Sequence, residues 1–305
     1  MKNEVNNIIS NKILELAPVF YSLSDYIFDN PELGYQEHKA CRALCKTLTD
    51  FGFSVEESVG GLETSFRAVY SHGEGGPSIG LLCEYDALPD LGHACGHHMQ
   101  GPAIILCAQT LKEIITDTPF KIVVYGTPAE ELLSAKYQMW ENGCFRDIDV
   151  ALMMHASTST AVDSKSLAAT EFAVTYHGES AHAAMFPERG KSAFDALLLA
   201  FHGTEMLREH VRDDVRLHYT CLDAGGPANI VPSTAKGQFL LRSLSTSYLK
   251  GLIPRFLEII RGASIMAGVT YSIEDSIVLP NKIPVPLLNE VIMKNARLAD
   301  APGIS

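Results

Sequence analysis

A chain of 305 residues that is 47% hydrophobic can bury one large core or two moderate ones, so a folded globular protein is expected. Its 36 acidic against 24 basic residues leave a formal charge of -12 with no basic cluster, which argues against nucleic acid or an anionic membrane as partner. The opening MKNEVNNIISNKILELAPVF lacks the pattern of a signal peptide, and nothing later approaches ~18 continuous apolar residues; the chain reads as a soluble cytoplasmic protein.

From Asn11 to about Phe51 apolar residues recur at helical spacing, interrupted at Asn30-Pro31-Glu32, which predicts two helices. Three short apolar runs follow, Ser78 to Cys83, Phe120 to Tyr125 and Asp149 to Met154, with helical segments at Gly101 to Ile115 and Ala135 to Asn142 between them. That alternation predicts an α/β domain with a mostly parallel sheet under covering helices. From about Thr170 the order becomes strand (Glu171 to His177), helix (Lys191 to Val211), two strands (Val215 to Leu222, Thr234 to Leu244), helix (Thr246 to Met266) and strand (Val269 to Glu274). This is the ferredoxin-like βαββαβ arrangement, read as a second compact domain inserted into the first. The expected boundaries are 1–167 for the first part of the α/β domain, 168–276 for the insertion and 277–305 for the start of the domain's second part. A helix is expected from Pro286 to Ala299.

In open α/β sheets ligands bind beyond the carboxyl ends of the strands. The first apolar run leads into Glu84-Tyr-Asp86, the second through Gly126-Thr-Pro-Ala to Glu130-Glu131, and the third to His155, so all three deliver ionisable groups to one edge. Between the first run and its helix lies Gly92-His-Ala-Cys95-Gly-His97-His98. Thiolate, imidazole and carboxylate together suit zinc or a similar divalent ion. Glu131 can bind metal while Glu130 stays free to take a proton from an activated water, which implies hydrolysis. The seven cysteines, odd in number and without framework spacing, read as reduced thiols. Cys41, Cys45, Cys83, Cys107 and Cys221 sit among apolar neighbours and are expected to fill core, whereas Cys95 does not fit that description.

Five motifs in order, Glu84-Tyr-Asp-Ala-Leu-Pro, Gly92-His-Ala-Cys-Gly-His, Gly126-Thr-Pro-Ala-Glu-Glu, His177-Gly-Glu-Ser-Ala-His-Ala-Ala and Gly225-Gly-Pro-Ala-Asn-Ile-Val-Pro, resemble the amidohydrolase subfamily of the M20 peptidases. The similar branch holds p-aminobenzoyl-glutamate hydrolase subunits and M20 domain-containing dipeptidases. The resemblance implies a zinc-exopeptidase-like sheet domain carrying a lid and dimerisation domain, and a homodimer formed through that lid. It implies two divalent metal ions, zinc or manganese first and cobalt or nickel as further options, held by Cys95, His97, Glu131 and His155. Glu130 matches the general base, and Asp86 an acidic residue that orients the site. In the lid, His182 matches a histidine that reaches the partner subunit's active site, and Asn229 and Arg242 match residues that bind the substrate's carboxylate. The implied reaction is hydrolysis of an amide bond next to a free carboxylate, in an N-acyl amino acid, aminobenzoyl-glutamate or a dipeptide.

Two departures stand out. His98 occupies a place where relatives carry Asp or Asn, and the family's final metal-binding histidine has no counterpart up to Ser305. The second departure keeps open an incomplete, inactive relative that binds metal or ligand or serves as a partner subunit. A third reading makes Cys95 a nucleophile with His97 as base and Asp86 as orienter.

Overall fold

The computed structural model describes residues 2–132, 135–162, 165–274 and 276–304. The chain forms two compact units, Met1–Ala161 with Val291–Ser305, and Val162–Glu290.

The first unit opens with helices α1 (Lys2–Asp29) and α2 (His38–Asp50), separated at the expected Asn30-Pro31-Glu32 break. Strands β1 (Ser54–Glu57), β2 (Phe66–His72), β3 (Ser78–Cys83), β4 (Phe120–Gly126) and β5 (Val150–Leu152) form one sheet in the order β1-β2-β4-β3-β5. Helix α3 (His97–Ile114) joins β3 to β4, and α4 (Ala135–Glu141) lies between β4 and β5. β3 pairs in parallel with both β4 and β5, as the three apolar runs imply. The sheet is nevertheless mixed, because β1 and β2 add an antiparallel flank that the apolar pattern did not announce. β1 reads Ser-Val-Glu-Glu and is mostly exposed, and β2 carries Arg67 and Ser71 among its apolar residues, so neither presents a buried run.

β4 is covered on both faces, which is why its sequence is almost continuously apolar. Phe120, Ile122 and Val124 join Ile27 of α1, Leu44 and Leu48 of α2 and Ile105 of α3 in one core. Val123 and Tyr125 face the other way, onto Met139 of α4. α3 approaches the end of β3 closely at Gly101, where a Cβ would stand 2.9 Å from the Glu84 carbonyl oxygen. The chain leaves β3 for β4 on one side and later returns to β3 on the other as β5, so a topological switch point lies at the carboxyl ends of these strands.

The second unit is a four-stranded antiparallel sheet, β7-β8-β6-β9, built from β6 (Ala168–His177), β7 (Arg216–Asp223), β8 (Thr234–Ser243) and β9 (Thr270–Ile273). Helices α5 (Ala193–Arg208) and α6 (Thr246–Ala267) pack on it through Leu197, Ala200, Leu252, Phe256 and Ile260. Each helix starts on a serine cap, Ser192 accepting from the Asp195 amide and Ser245 from that of Tyr248, and α6 ends on Gly268 at a φ of 67°. The element order is the expected βαββαβ. A last helix, α7 (Pro286–Leu298), follows.

All seven cysteines are free thiols. Cys41, Cys45 and Cys83 are buried, but Cys107 and Cys221 are exposed, against the core-filling expectation. Cys107 is exposed on α3 although Ile104, Ile105 and Ala108 of the same helix are buried, and Cys221 stands on the open strand β7. Among the described residues no helix is long and apolar enough to cross a membrane.

Candidate metal centre

The carboxyl ends of β3, β4 and β5 converge on one imidazole. His97 is the first residue of α3 and follows Gly96, whose φ of 84° suits glycine. Its ring is fully buried. Nδ1 lies 3.0 Å from both Oδ1 and the backbone oxygen of Asp86, two acceptors, so Nδ1 carries a proton and Nε2 is the nitrogen turned toward the other carboxylates. Nε2 stands 3.5 Å from Oε2 of Glu84 and 4.0 Å from Oε2 of Glu130.

Asp86 organises two of these groups. While Oδ1 accepts from His97, Oδ2 accepts from the Glu131 amide at 2.9 Å. Burial alone would raise this carboxyl, but the hydrogen bonds from His97 and Glu131 outweigh it and hold Asp86 below its ordinary range. The same contact, together with Glu84, raises His97 despite the opposing effect of burial. Glu130 is raised, first by burial and further by Glu84 and Glu131, with Lys136 and His97 opposing. The Cys95 thiol is pushed up to about 11, chiefly by its hydrogen bond to the Glu131 carboxylate.

Ligand atoms of Glu84, His97 and His155 lie within 4.8 Å of one another, and so do those of His97, Glu130 and Glu131. The rings of His97 and His155 meet edge to face at 5.5 Å, and Nδ1 of His155 is engaged with the Ala156 carbonyl at 2.8 Å. Cys95 belongs to neither trio but stands against Glu131. His97, Glu131 and His155, read from the sequence as ligands, and Glu130 and Asp86, read as base and orienter, are thus drawn together on this edge.

These residues fit a divalent cation. Glu84 Oε2, His97 Nε2 and Glu131 Oε1 are buried without a hydrogen-bond partner, an arrangement that costs free energy unless something accepts their lone pairs. Four carboxylates, those of Glu84, Asp86, Glu130 and Glu131, around one imidazole also call for positive charge beyond Lys136. His98 turns away from this centre: its ring packs on Phe28 of α1 at 4.9 Å and on His93 at 5.4 Å.

Two supporting residues were not singled out from the sequence. Gln100 of α3 accepts from the Glu84 amide at 2.7 Å and donates to the Leu82 carbonyl at 3.0 Å, tying the end of β3 to the helix. Glu37, fully buried, accepts from the Ala129 amide at 2.6 Å and from the Thr64 hydroxyl at 2.9 Å. Ala129 has a φ of 51°, uncommon for a residue with a side chain, and directly precedes Glu130. Glu37 therefore holds the turn that presents both glutamates. Neither position has a periodic or spacing signal, because the partners lie up to 92 residues away. Glu37→Ala leaves two buried donors unsatisfied, and a loss of about 2–4 kcal/mol is expected. The one tryptophan, Trp140, lies in the same unit, so its fluorescence during urea denaturation reads this loss as a lower midpoint.

In the second unit, His182 and Asn229 sit on loops joined by backbone hydrogen bonds, from the Ala183 amide to the Asn229 carbonyl at 3.0 Å and from the Val231 amide to the Ala181 carbonyl at 2.8 Å. His182 Nδ1 accepts from the Met185 amide at 3.2 Å. Arg242 lies on β8 opposite Ala169 and Arg216, with a buried Nε that has no hydrogen-bond partner. Thr234 and Arg242 are eight residues apart on β8, about 27 Å at ~3.4 Å per residue. Asn229 precedes the first end of that strand and Arg242 stands near the other.

Residues 168–264 match the model of the peptidase dimerisation domain of M20 proteins. Over 291 residues the chain is 34% identical to the Xaa-Arg dipeptidase of Mus musculus, covering 90% of this chain and 67% of that protein. The chain belongs to the M20 peptidase family. It is also 31% identical to a p-aminobenzoyl-glutamate hydrolase subunit of Escherichia coli (strain K12) over 88% of its length, which spans 60% of that relative. Two solved structures share the fold. An aminobenzoyl-glutamate utilization protein from Klebsiella pneumoniae superposes with a TM-score of 0.77 at 20% identity, covering 97% of this chain and 84% of that one. A dinuclear metal-binding M20 peptidase from Bacillus subtilis gives 0.70 at 17% identity, covering 92% and 79%. The M20 chain thus spans about two thirds, or somewhat less, of the length of these curated relatives.

Proposed function

We propose that this M20 chain hydrolyses an amide bond adjacent to a free carboxylate, with Cys95, His97, Glu131 and His155 holding two divalent ions and Glu130 serving as general base. The observation that carries this reading is the buried His97 ring, whose Nδ1 is oriented by Asp86 while Nε2 faces Glu84 and Glu130 without a hydrogen-bond partner. A carboxylate that fixes the tautomer of a ligating histidine is a recurrent feature of metal sites. Divalent ions in such a site supply Lewis acidity and acidify water to a pKa of ~7.

The protein's own groups then act in sequence. Glu130, made more basic by burial, takes a proton from the attacking water and returns it to the leaving amine nitrogen. Asp86 keeps His97 in one tautomer and fixes the Glu131 amide, so the neighbouring Glu130 starts from a defined backbone. In the lid, His182 polarises the scissile carbonyl, and Asn229 and Arg242 bind the substrate's carboxylate. The unpartnered Nε of Arg242 supports this, since a guanidinium can grip a carboxylate with two parallel hydrogen bonds. Their placement at different ends of β8 supports a homodimer in which two copies contribute to one substrate site.

Cys95 fits coordination better than nucleophilic attack. A thiol near 11 is almost wholly protonated at neutral pH, whereas a bound divalent ion deprotonates it outright. Zinc and manganese are the first candidates, with cobalt and nickel suited to the same mixed donor set. The cytoplasm is the proposed location, a compartment that suits seven free thiols.

The test is hydrolysis of a panel holding Xaa-Arg dipeptides, p-aminobenzoyl-glutamate and N-acyl amino acids, before and after chelation and with metal added back. Turnover lost on chelation and restored by zinc or manganese is expected. Turnover indifferent to chelators would sink the reading, and metal binding without turnover would favour the inactive-partner alternative.

A further inference from the structure

Glu84 is the one carboxylate of the cluster that the proposed ligand set leaves without a task. It stands immediately after β3, its side chain 1% exposed. Its two oxygens have different surroundings: Oε1 accepts from the Nζ of Lys136, while Oε2 has no hydrogen-bond partner and lies 3.5 Å from Nε2 of His97, which has none either. Glu84, His97 and His155 offer ligand atoms within 4.8 Å of one another.

Lys136 has no evident reason of helix stability to be where it is. It is the second residue of α4, and a cation in the first turn opposes the helix dipole. Nor does a buried ion pair by itself argue for stability, because desolvating both partners offsets their attraction. The pair does accomplish something geometric. By engaging Oε1, the ammonium settles the rotation of the carboxylate and leaves Oε2 directed at the position that Nε2 of His97 also faces.

We infer that Glu84 is a further, single-oxygen ligand to the ion bound by His97 and His155, and that Lys136 is the residue that positions it. The inference rests on the metal-centre reading above.

The test uses the whole chain, stripped of metal, as wild type and as Glu84→Gln, Lys136→Met and Lys136→Arg. Cobalt(II) is titrated in, with the visible absorption band reporting coordination and competition with a chromophoric chelator reporting affinity. Glu84→Gln is expected to weaken cobalt binding by about 10- to 100-fold and to change the band. Lys136→Met is expected to weaken it by about tenfold with stoichiometry kept at saturation, and Lys136→Arg to restore most of the loss. Wild-type affinity and an unchanged band in both Glu84→Gln and Lys136→Met would overturn the inference and leave the pair a structural one. Failure of the wild type to bind cobalt would overturn the metal-centre reading and this inference with it. Should Glu84→Gln fail to fold by circular dichroism, the contrast between Lys136→Met and Lys136→Arg decides, since a purely structural lysine would leave affinity and band unaltered in both.

Discussion

Glu130→Gln is expected to lower kcat by about 10²–10⁴-fold, the usual worth of a positioned general base. Glutamine keeps the size and the local packing but cannot take a proton from water. Metal content should stay at the wild-type level, because Glu131 and not Glu130 is assigned as the ligand. Glu131→Gln should do the reverse and shed metal. The pair matters because the two side chains are adjacent and both have ligand atoms within 4.8 Å of that of His97, so proximity alone does not separate their roles. The separation rests on environment. Glu131 is fastened through its amide to Asp86 and stands against Cys95, while Glu130 faces Lys136 and Glu84 and is raised by burial. If Glu130→Gln loses metal and Glu131→Gln does not, the two assignments must be exchanged.

Asp86→Asn is expected to weaken metal binding by about 10- to 100-fold. Asp86 accepts from two donors at once, the His97 ring and the Glu131 amide, through separate oxygens. Asparagine has one accepting oxygen, and its amide nitrogen must face a donor, so either His97 loses its fixed tautomer or the Glu131 backbone loses its anchor. One buried donor left unsatisfied costs about 1–3 kcal/mol in addition. Chelator competition measures the affinity, and the urea midpoint read by Trp140 measures the stability. Unchanged metal affinity in a folded Asp86→Asn protein would show that Asp86 does not orient the centre.

The βαββαβ order of the second unit and, in the first, the two opening helices and the order of β3 to β5 with α3 and α4 were legible in the sequence, because burial leaves a periodic trace. Strands β3 and β4 are buried enough to read as apolar runs, and β6 to β9 with α5 and α6 alternate in the βαββαβ order. The site's main residues were legible for a related reason. Ligands cluster beyond strand ends, and the Cys95-Gly96-His97 turn together with the Glu130-Glu131 pair places unlike donors within a few residues of each other. What stayed hidden was whatever depends on contacts between distant segments. The flank β1–β2 is too exposed and too polar to leave a run, and it holds its place by pairing with β4.

The same division holds inside the metal centre. The sequence by itself determined which donor types meet and at which strand ends, since turn chemistry and strand polarity are local. Only the tertiary structure decided the orientation of His97 by Asp86, the bracing of Ala129 by Glu37 across 92 residues, and the pairing of Glu84 with Lys136 across 52. Hydrogen bonds and ion pairs of buried side chains follow from where the helices and strands pack, and no local pattern in the chain encodes them.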